Sequence, residues 1–354
     1  MSDLRFRHVV IDADPPGAHH DITLLHDLTG NGLPDVTIGG KQGPPHLFWY
    51  ENPGWARHEI ATAPELEAGG VMLDVNGDGR PDIIAGQQYN GDTLWWFEQP
   101  EDPRAPWPVH VITSAFRKYH DQAAGDVDGD GEPEIVFLSQ RAGVLAYFDI
   151  PDDPTIEPWP DECLHVIACD TGDTEGLVVV DLDGDGRQEI IAGTSIYRRS
   201  GPDPEDWTRI TFAEGYVTTR VAVADLNGDG ALDIVLCEGE SDEGRLAAFM
   251  APGWRPWDLA SGLFHPHSIG IADFDGDGLP DIFVGEMGLG RNPHEPRLLI
   301  YRNDGHAGFE EHVIAEGIPT HEAKVADMTG DGRPDIVGKP YNPERHIDLW
   351  VNGT

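Results

Sequence analysis

Seven times this 354-residue chain repeats one phrase, in which oxygen-bearing side chains alternate with glycines. The copies begin at Asp27, Asp74, Asp126, Asp181, Asp225, Asp273 and Asp327. The five middle copies carry carboxylates or amides at positions one, three, five and nine. They are Asp74, Asn76, Asp78 and Asp82; Asp126, Asp128, Asp130 and Glu134; Asp181, Asp183, Asp185 and Glu189; Asp225, Asn227, Asp229 and Asp233; and Asp273, Asp275, Asp277 and Asp281. A hard cation such as Ca2+ takes about six to eight oxygens at roughly 2.3–2.6 Å, and glycine lets the backbone wrap around it. These loops are therefore expected to hold structural calcium, with Mg2+ as a substitute where calcium is scarce. The carbonyl at position seven, as at Leu279, would add a ligand. The last copy supplies Asp327, Asp331 and Asp335 but has Thr329 at position three, and the first has Thr29 and Asn31, so both are poorer sets. Asx turns without an ion are the competing reading. An EF-hand starts similarly but needs a glutamate at position twelve. Ile38, Ala85, Phe137, Ala192, Leu236, Val284 and Gly338 stand there instead.

A second set of residues has chemistry of another kind. His120, His267 and His321 each precede the first aspartate of a loop by six residues, and His20 precedes its own by seven. Imidazole suits zinc and similar metals, and it is also the side chain that most readily moves protons near neutral pH. Equivalent stretches of other repeats carry Glu67, Glu175 and Arg220, and Asp21, Asp121 and Glu322 adjoin the histidines. A solvated polar rim left by repeat ancestry is the bland alternative.

The elements that would position these groups are short and β-branched. Val178-Val179-Val180 runs into one loop and Ile190-Ile191-Ala192 runs out of it, so each phrase reads as the turn of a β-hairpin. Spacings of 44 to 55 residues between copies indicate a repeat architecture. Each repeat reads as four strands, with the second repeat at about 69–74, 82–86, 93–98 and 109–113. The last repeat ends after a third strand, His346 to Val351, while the N-terminus has a spare one. We therefore expect an all-β, seven-bladed β-propeller over residues 1–354, a single domain whose last blade is completed by residues 4–11. Closure in this way removes free sheet edges. The acidic turns would then share one face. The starts of the innermost strands, with the histidines, would share the other, together with second-strand ends such as Lys41, Gln87, Arg141, Glu286, Lys339 and Tyr341. On this geometry His20, His267 and His321, from neighbouring blades, meet around a transition metal such as Zn2+, and His120 faces them across the channel. The Trp and Pro clusters at Trp55, Trp107 and Trp254 are read as wedges between blades.

Composition narrows the partners. The formal net charge is −41, much of it in the loops, and no basic patch suggests nucleic acid. No apolar run is long enough to span a membrane. Three cysteines form no disulfide framework, and the N-terminal stretch lacks an apolar signal region, so the expected location is cytoplasmic.

The acidic loops followed by Asp-Ile-Val or Glu-Ile-Val resemble FG-GAP/VCBS-repeat propellers. The stretches His267 to Asp273, Gly285 to Gly288, His321 to Asp327 and Gly338 to Asn342 resemble, more narrowly, the propeller domain of aldos-2-ulose dehydratases and their bacterial relatives. That likeness implies metal-assisted dehydration of a ketosugar such as 1,5-anhydrofructose. The cupin domains of the fungal enzyme have no counterpart here. Propeller ulvan lyases, which eliminate across a sugar with His and Tyr, are a second likeness. Together with the histidines, these point to a carbon–oxygen lyase on a carbohydrate-like small molecule. A metal on His20, His267 and His321 would polarise a carbonyl or carboxylate, and His120 would act as general base. Tyr341 or Lys339 would protonate the leaving oxygen, and Glu175 would orient a histidine or bind hydroxyls. The alternatives are a calcium-stabilised propeller that binds a glycan or protein without chemistry, and a cyclase or isomerase.

Overall fold

The apolar runs flanking each acidic loop pair as antiparallel strands, and seven four-stranded sheets result. They are seen in a computed structural model describing residues 4–62, 64–204, 206–289, 294–305 and 308–354. After β1 (Phe6–Asp12), blade one holds β2 (Ala18–His26), β3 (Asp35–Gln42), β4 (Leu47–Glu51) and β5 (Ala56–Ala61). Blade two holds β6 (Val71–Leu73), β7 (Asp82–Gly86), β8 (Leu94–Phe97) and β9 (Val109–Thr113). Blade three holds β10 (Tyr119–Gly125), β11 (Glu134–Ser139), β12 (Val144–Phe148) and β13 (Leu164–Ala168). Blade four holds β14 (Leu177–Val180), β15 (Glu189–Ala192), β16 (Ser195–Arg199) and β17 (Trp207–Thr211). Blade five holds β18 (Thr219–Ala224), β19 (Asp233–Glu238), β20 (Gly244–Met250) and β21 (Arg255–Leu263). Blade six holds β22 (Pro266–Ala272), β23 (Asp281–Glu286), β24 (Arg297–Asn303) and β25 (Phe309–Glu316). Blade seven holds β26 (His321–Ala326), β27 (Asp335–Lys339) and β28 (Ile347–Asn352), and β1 is its fourth strand. The molecule is a seven-bladed β-propeller. The N-terminal strand pairs Phe6 with Asn352 through Val10 with Asp348, one or two residues displaced from the expected 4–11.

The core lies between blades rather than within them. Second and third strands are buried on both faces, so alternate residues feed two interfaces. Ile83, Ala85, Trp95 and Phe97 of blade two pack with Ile22, Leu47 and Trp49 of blade one. Ile84, Leu94 and Trp96 of the same strands pack with Tyr119, Ile135 and Phe137 of blade three. The seventh such cluster joins Val36, Ile38 and Phe48 of blade one to Val337, Ile347 and Leu349 of blade seven, with Val9 and Ile11 against it. Each such side chain contributes roughly 1.5–3 kcal/mol when fully buried. Trp107 is buried and donates its indole N–H to Pro103 O, and Trp55 and Trp254 pack against inter-blade clusters. The wedge reading of these residues therefore holds.

The acidic turns are tied down by backbone N–H groups. In blade six, Asp273 accepts from Gly276 and Gly278 at 2.8 Å each. Both glycines have left-handed φ, +77° and +89°, which only glycine adopts without strain. Asp281, at position nine, accepts from Phe274 N and from Asn303 N, at the end of the third strand. The Asn303 amide then donates to Leu226 O in blade five, latching neighbouring blades. Asn52, Gln99 and Asn352 repeat the latch. Burial pushes Asp281 and Asp35 up to about 6 and Asp82 up to about 7, against these hydrogen bonds.

Three turns gather carboxylate oxygens within 4.8 Å of one another: Asp126, Asp128, Asp130 and Glu134; Asp181, Asp183 and Glu189; and Asp273, Asp275 and Asp281. Asp185 and Asp277 fall outside these sets, and each accepts the N–H two residues on. The turns at Asp74, Asp225 and Asp327 give no such carboxylate set among the described residues. Asn76, Asn227 and Thr329 replace the aspartate at position three, and Arg80 and Arg333 pair with Asp78 and Asp331.

Candidate active site at the channel mouth

On the face away from the turns, the first strands of several blades begin with a defect that re-aims their side chains. The registers slip across Asp21 in β2, His120 in β10 and His267 in β22, and across Glu322 and Ala323 in β26. Such bulges kink a strand and turn one residue out of alternation. Left-handed backbone accompanies them, with φ of +54° at His19, +59° at Lys118, +48° at His265 and +50° at Glu322. Close approach of blades is also needed. A Cβ on Gly69 would stand 2.6 Å from His120 O, so only glycine fits there.

The result is one buried network of charges. Arg220, from β18, donates to Glu175 at 2.8 Å and to Glu322 at 2.8 Å, and it reaches His267 Nε2 at 2.6 Å. Because a guanidinium can only donate, Nε2 of His267 accepts, and its Nδ1 faces Glu322 at 3.4 Å. His267 stacks on His321, ring centroids 4.2 Å apart. His321 Nδ1 donates to His20 O at 3.2 Å, which leaves its Nε2 as the lone-pair nitrogen. Burial and Arg220 lower His267, and burial and the neighbouring cations hold His321 well below the usual imidazole range, so both are neutral. Glu175 and Glu322 stay ionised despite burial because of the cations beside them: His120 and Arg220 for Glu175, Arg220 and Lys324 for Glu322.

His120 is the opposite case. Its Nδ1 donates to Asp121 at 2.9 Å and its Nε2 faces Glu175 at 3.5 Å. Burial opposes the charge, but Glu175 and Asp121 outweigh it and push the imidazole up to about 9. His120 is therefore a fixed cation at neutral pH, not the free base expected from its intrinsic pKa. Lys339 is fully buried and donates to His321 O at 3.0 Å; burial drops its pKa to about 7.

Lys41 links the network to solvent. Its ammonium lies 2.7 Å from Asp21 and 2.5 Å from Glu67. Burial pushes Asp21 up to about 6, with Lys41 opposing and Glu67 adding. Lys41 and Tyr341 also line an open cleft of about 390 Å³ with His19, Gln42, Glu65, Gln88 and Tyr89. Lys41 lies 5.6 Å from the centre of the Tyr341 ring. The Tyr341 ring is 4.8 Å from that of His19 and 4.8 Å from that of His321. Burial pushes the Tyr341 phenol up to about 12, so it is protonated.

The expected trio of metal-binding histidines does not assemble. His20 Nε2 bonds to Pro16 O at 2.8 Å, and its ring packs edge-on against Phe48. Burial lowers it to about 4. Its place beside His267 and His321 is taken by Glu322, and the ligand atoms of these three lie within 4.8 Å of one another. Two imidazoles and a carboxylate suit a transition metal by type. Here, however, Nε2 of His267 and Oε1 of Glu322 already accept from Arg220. The guanidinium fills the position a metal would take, and in this arrangement the residues do not fit Zn2+. Asp21, Lys41, Glu67, Asp121, Arg220 and Glu322 were legible as rim residues but not as parts of one network. The usable signal was position: Asp21, not His20, is the residue six before the loop.

The sequence model of the FG-GAP-like repeat family matches residues 74–137, 126–192, 181–236 and 273–338. No curated protein matches the chain. Solved structures of similar fold include an Agrocybe aegerita lectin that recognises non-reducing terminal N-acetylglucosamine, at 18% identity and TM-score 0.55, covering 95% of this chain and 86% of that one. Another is BBS1N, solved in complex with ARL6DN, at 11% identity and TM-score 0.58, covering 98% and 95%. A third is the exotype rhamnogalacturonan lyase YesX, at 14% identity and TM-score 0.55, covering 97% and 76%. At these identities the likeness is one of fold alone.

Proposed function

The chain belongs to the FG-GAP-like repeat family, and from that premise we propose that it is a carbon–oxygen lyase acting on a carbohydrate bearing a carbonyl or carboxylate. The observation that carries this reading is Tyr341, a protonated phenol that borders the open cleft and lies 4.8 Å, ring to ring, from the neutral imidazole of His321. A neutral base, a neutral acid and a nearby cation are the parts an elimination needs. His321 Nε2 takes the proton from the carbon next to the carbonyl or carboxylate. A cation bordering the cleft stabilises the enolate, the β C–O bond breaks, and Tyr341 protonates the leaving oxygen. The proton on His321 then returns to the Tyr341 phenolate, restoring both groups. Arg220, Glu175 and His120 hold the two imidazoles in place. Lys339, near neutrality, is a second proton store behind His321.

The acidic turns on the other face are assigned structural calcium, with magnesium as the substitute, chiefly in blades three, four and six, where the carboxylates converge. Incubation with 1,5-anhydrofructose and with uronate-containing glycans, followed by ultraviolet absorbance of the unsaturated product, tests the lyase reading. Absorbance that is lost in Tyr341→Phe supports it, and no product from any sugar counts against it.

One observation favours a second reading, a glycan- or protein-binding propeller without chemistry. Arg220, His267, His321 and Glu322 are all buried. A buried ion network can serve shape alone, in which case a bound glycan would be recovered intact. A cyclase or isomerase would use the same acid–base pair but yield a product of unchanged mass.

A further inference from the structure

Most cations around the mouth are already committed to carboxylates. Lys41 is held by Asp21 and Glu67, Arg220 by Glu175 and Glu322, Arg245 by Glu238, and Arg297 by Glu286. With 64 acidic residues against 23 Lys and Arg, that is the expected fate of a cation in this chain. Lys118 and Arg141 are exceptions. Among the described residues neither forms an ion pair with a carboxylate, and both instead stand over the ring of Tyr89. Arg141 Cζ is 3.9 Å from the ring centre and Lys118 Nζ is 5.5 Å from it. Tyr89 lines the cleft that holds Tyr341 and Lys41, and it is 49% exposed, unusual for a large ring here.

The backbone fixes this rim. Lys118 N donates to Gly91 O at 3.1 Å, and Lys118 O accepts from Gln140 N at 3.1 Å. Between these bonds Lys118 is held at φ +59°, where glycine would be unstrained. The ammonium is therefore presented at a conformational penalty. Glu65 lines the same cleft and accepts from the Gln88 amide at 2.7 Å. Its charge repels an anion, while its oxygens suit sugar hydroxyls.

We propose that Lys118 and Arg141 form a carboxylate subsite and that the substrate of the elimination is a uronate. This identification rests on the lyase reading above. With the carboxylate at the Lys118 and Arg141 end and hydroxyls toward Glu65, the sugar ring lies along Tyr89 toward Tyr341. Charge-assisted hydrogen bonds to the carboxylate are the strong kind, and they acidify the adjacent C–H. His321 Nε2 takes the proton as that C–H bond breaks, a C=C bond forms to the next carbon, the β-oxygen leaves with the proton from Tyr341, and the proton on His321 then restores the Tyr341 phenol.

The test is calorimetric binding of trigalacturonate and of its methyl ester to the full chain carrying Tyr341→Phe, which prevents turnover. The acid is expected to bind about tenfold or more tightly than the ester. That preference should vanish when Lys118→Gln and Arg141→Gln are added, with the melting temperature unchanged. Equal binding of acid and ester, or a preference that survives the double change, overturns the subsite. Elimination assays on the unmutated chain separate the two ideas. Turnover of a neutral ketosugar with no acid preference removes the subsite alone. A charge-dependent preference with no product from any sugar removes the lyase reading and leaves the subsite.

Discussion

A single guanidinium decides how the residues at the mouth behave. Arg220 neutralises Glu175 and Glu322 where water cannot, and after burial it is the next cause that keeps His267 unprotonated. Arg220→Met would leave both carboxylates buried without their cation, so a denaturant melt should show a loss of about 3–5 kcal/mol. Pairing it with Glu175→Gln should recover part of that loss. His120 gives a prediction with a sign. Its folded pKa of about 9 lies above the unfolded value, so its contribution is complete below about pH 6.5 and lost as pH rises through 9. The stability gap between the unmutated chain and His120→Gln should be largest near about pH 6 and shrink toward about pH 10. A gap that grows with pH would show that His120 is neutral in the folded chain. The histidines were legible in the sequence because they recur at one offset from a strong motif. Their protonation was not. It depends on which blade brings a carboxylate and which an arginine: Arg220 lies 47 residues from His267, and 45 and 102 residues from its two carboxylates. His20 shows how narrow the margin is: one residue of offset sends its ring to Pro16 and Phe48 instead of the channel.

At the scale of the element, two devices position the site: the acidic hairpin turn and the bulged strand start. The turn was readable as a hairpin from its alternating oxygens and glycines, but which carboxylates converge was not, since Asp185 and Asp277 stand outside the sets. The latch was not, since the amides of Asn52, Gln99, Asn303 and Asn352 stand outside the motif and reach into the neighbouring blade. The bulges were also hidden, because non-glycine residues such as His19, Lys118 and Glu322 occupy left-handed positions without any sequence cue. Asp82 accepts from Val75 N and Gln99 N, so Asp82→Ala should cost about 3 kcal/mol in chemical denaturation, two buried backbone N–H groups losing their acceptor. Asp130, one of the converging carboxylates of blade three, accepts only within its own exposed turn, from Glu132 N. The effect of Asp130→Ala should be within about 0.5 kcal/mol with calcium absent and larger with calcium present. Equal effects for the two variants in calcium-free buffer would dissolve the distinction between clamp and ligand.

Across the whole molecule, stability depends on closing a circle. Removing residues 1–12 leaves β28 paired only with β27 and uncovers one side of the cluster of Val337, Ile347 and Leu349. Such a truncation should melt well below the full chain, and an unchanged melt would mean that the ring holds without its N-terminal strand. The charge of −41 acts at the same scale. Seven acidic turns on one face repel each other unless cations neutralise them, so chelation should lower the melting temperature and restored calcium should return it. The chain's period alone makes the ring readable. The asymmetry within the ring, with Arg220 in one blade and His120, His267 and His321 in others, is what gives a repeat protein a single candidate centre.

Proton abstraction by His321 is the claim on which the functional account stands. Incubating the protein in deuterium oxide with an unsaturated-product-forming uronate, and following the α C–H signal by proton NMR, measures it directly. The account predicts that the signal is lost with the unmutated chain, by exchange or elimination, and retained with His321→Ala of matched folded content. A signal that persists with the unmutated chain, or disappears equally fast with the variant, would contradict it.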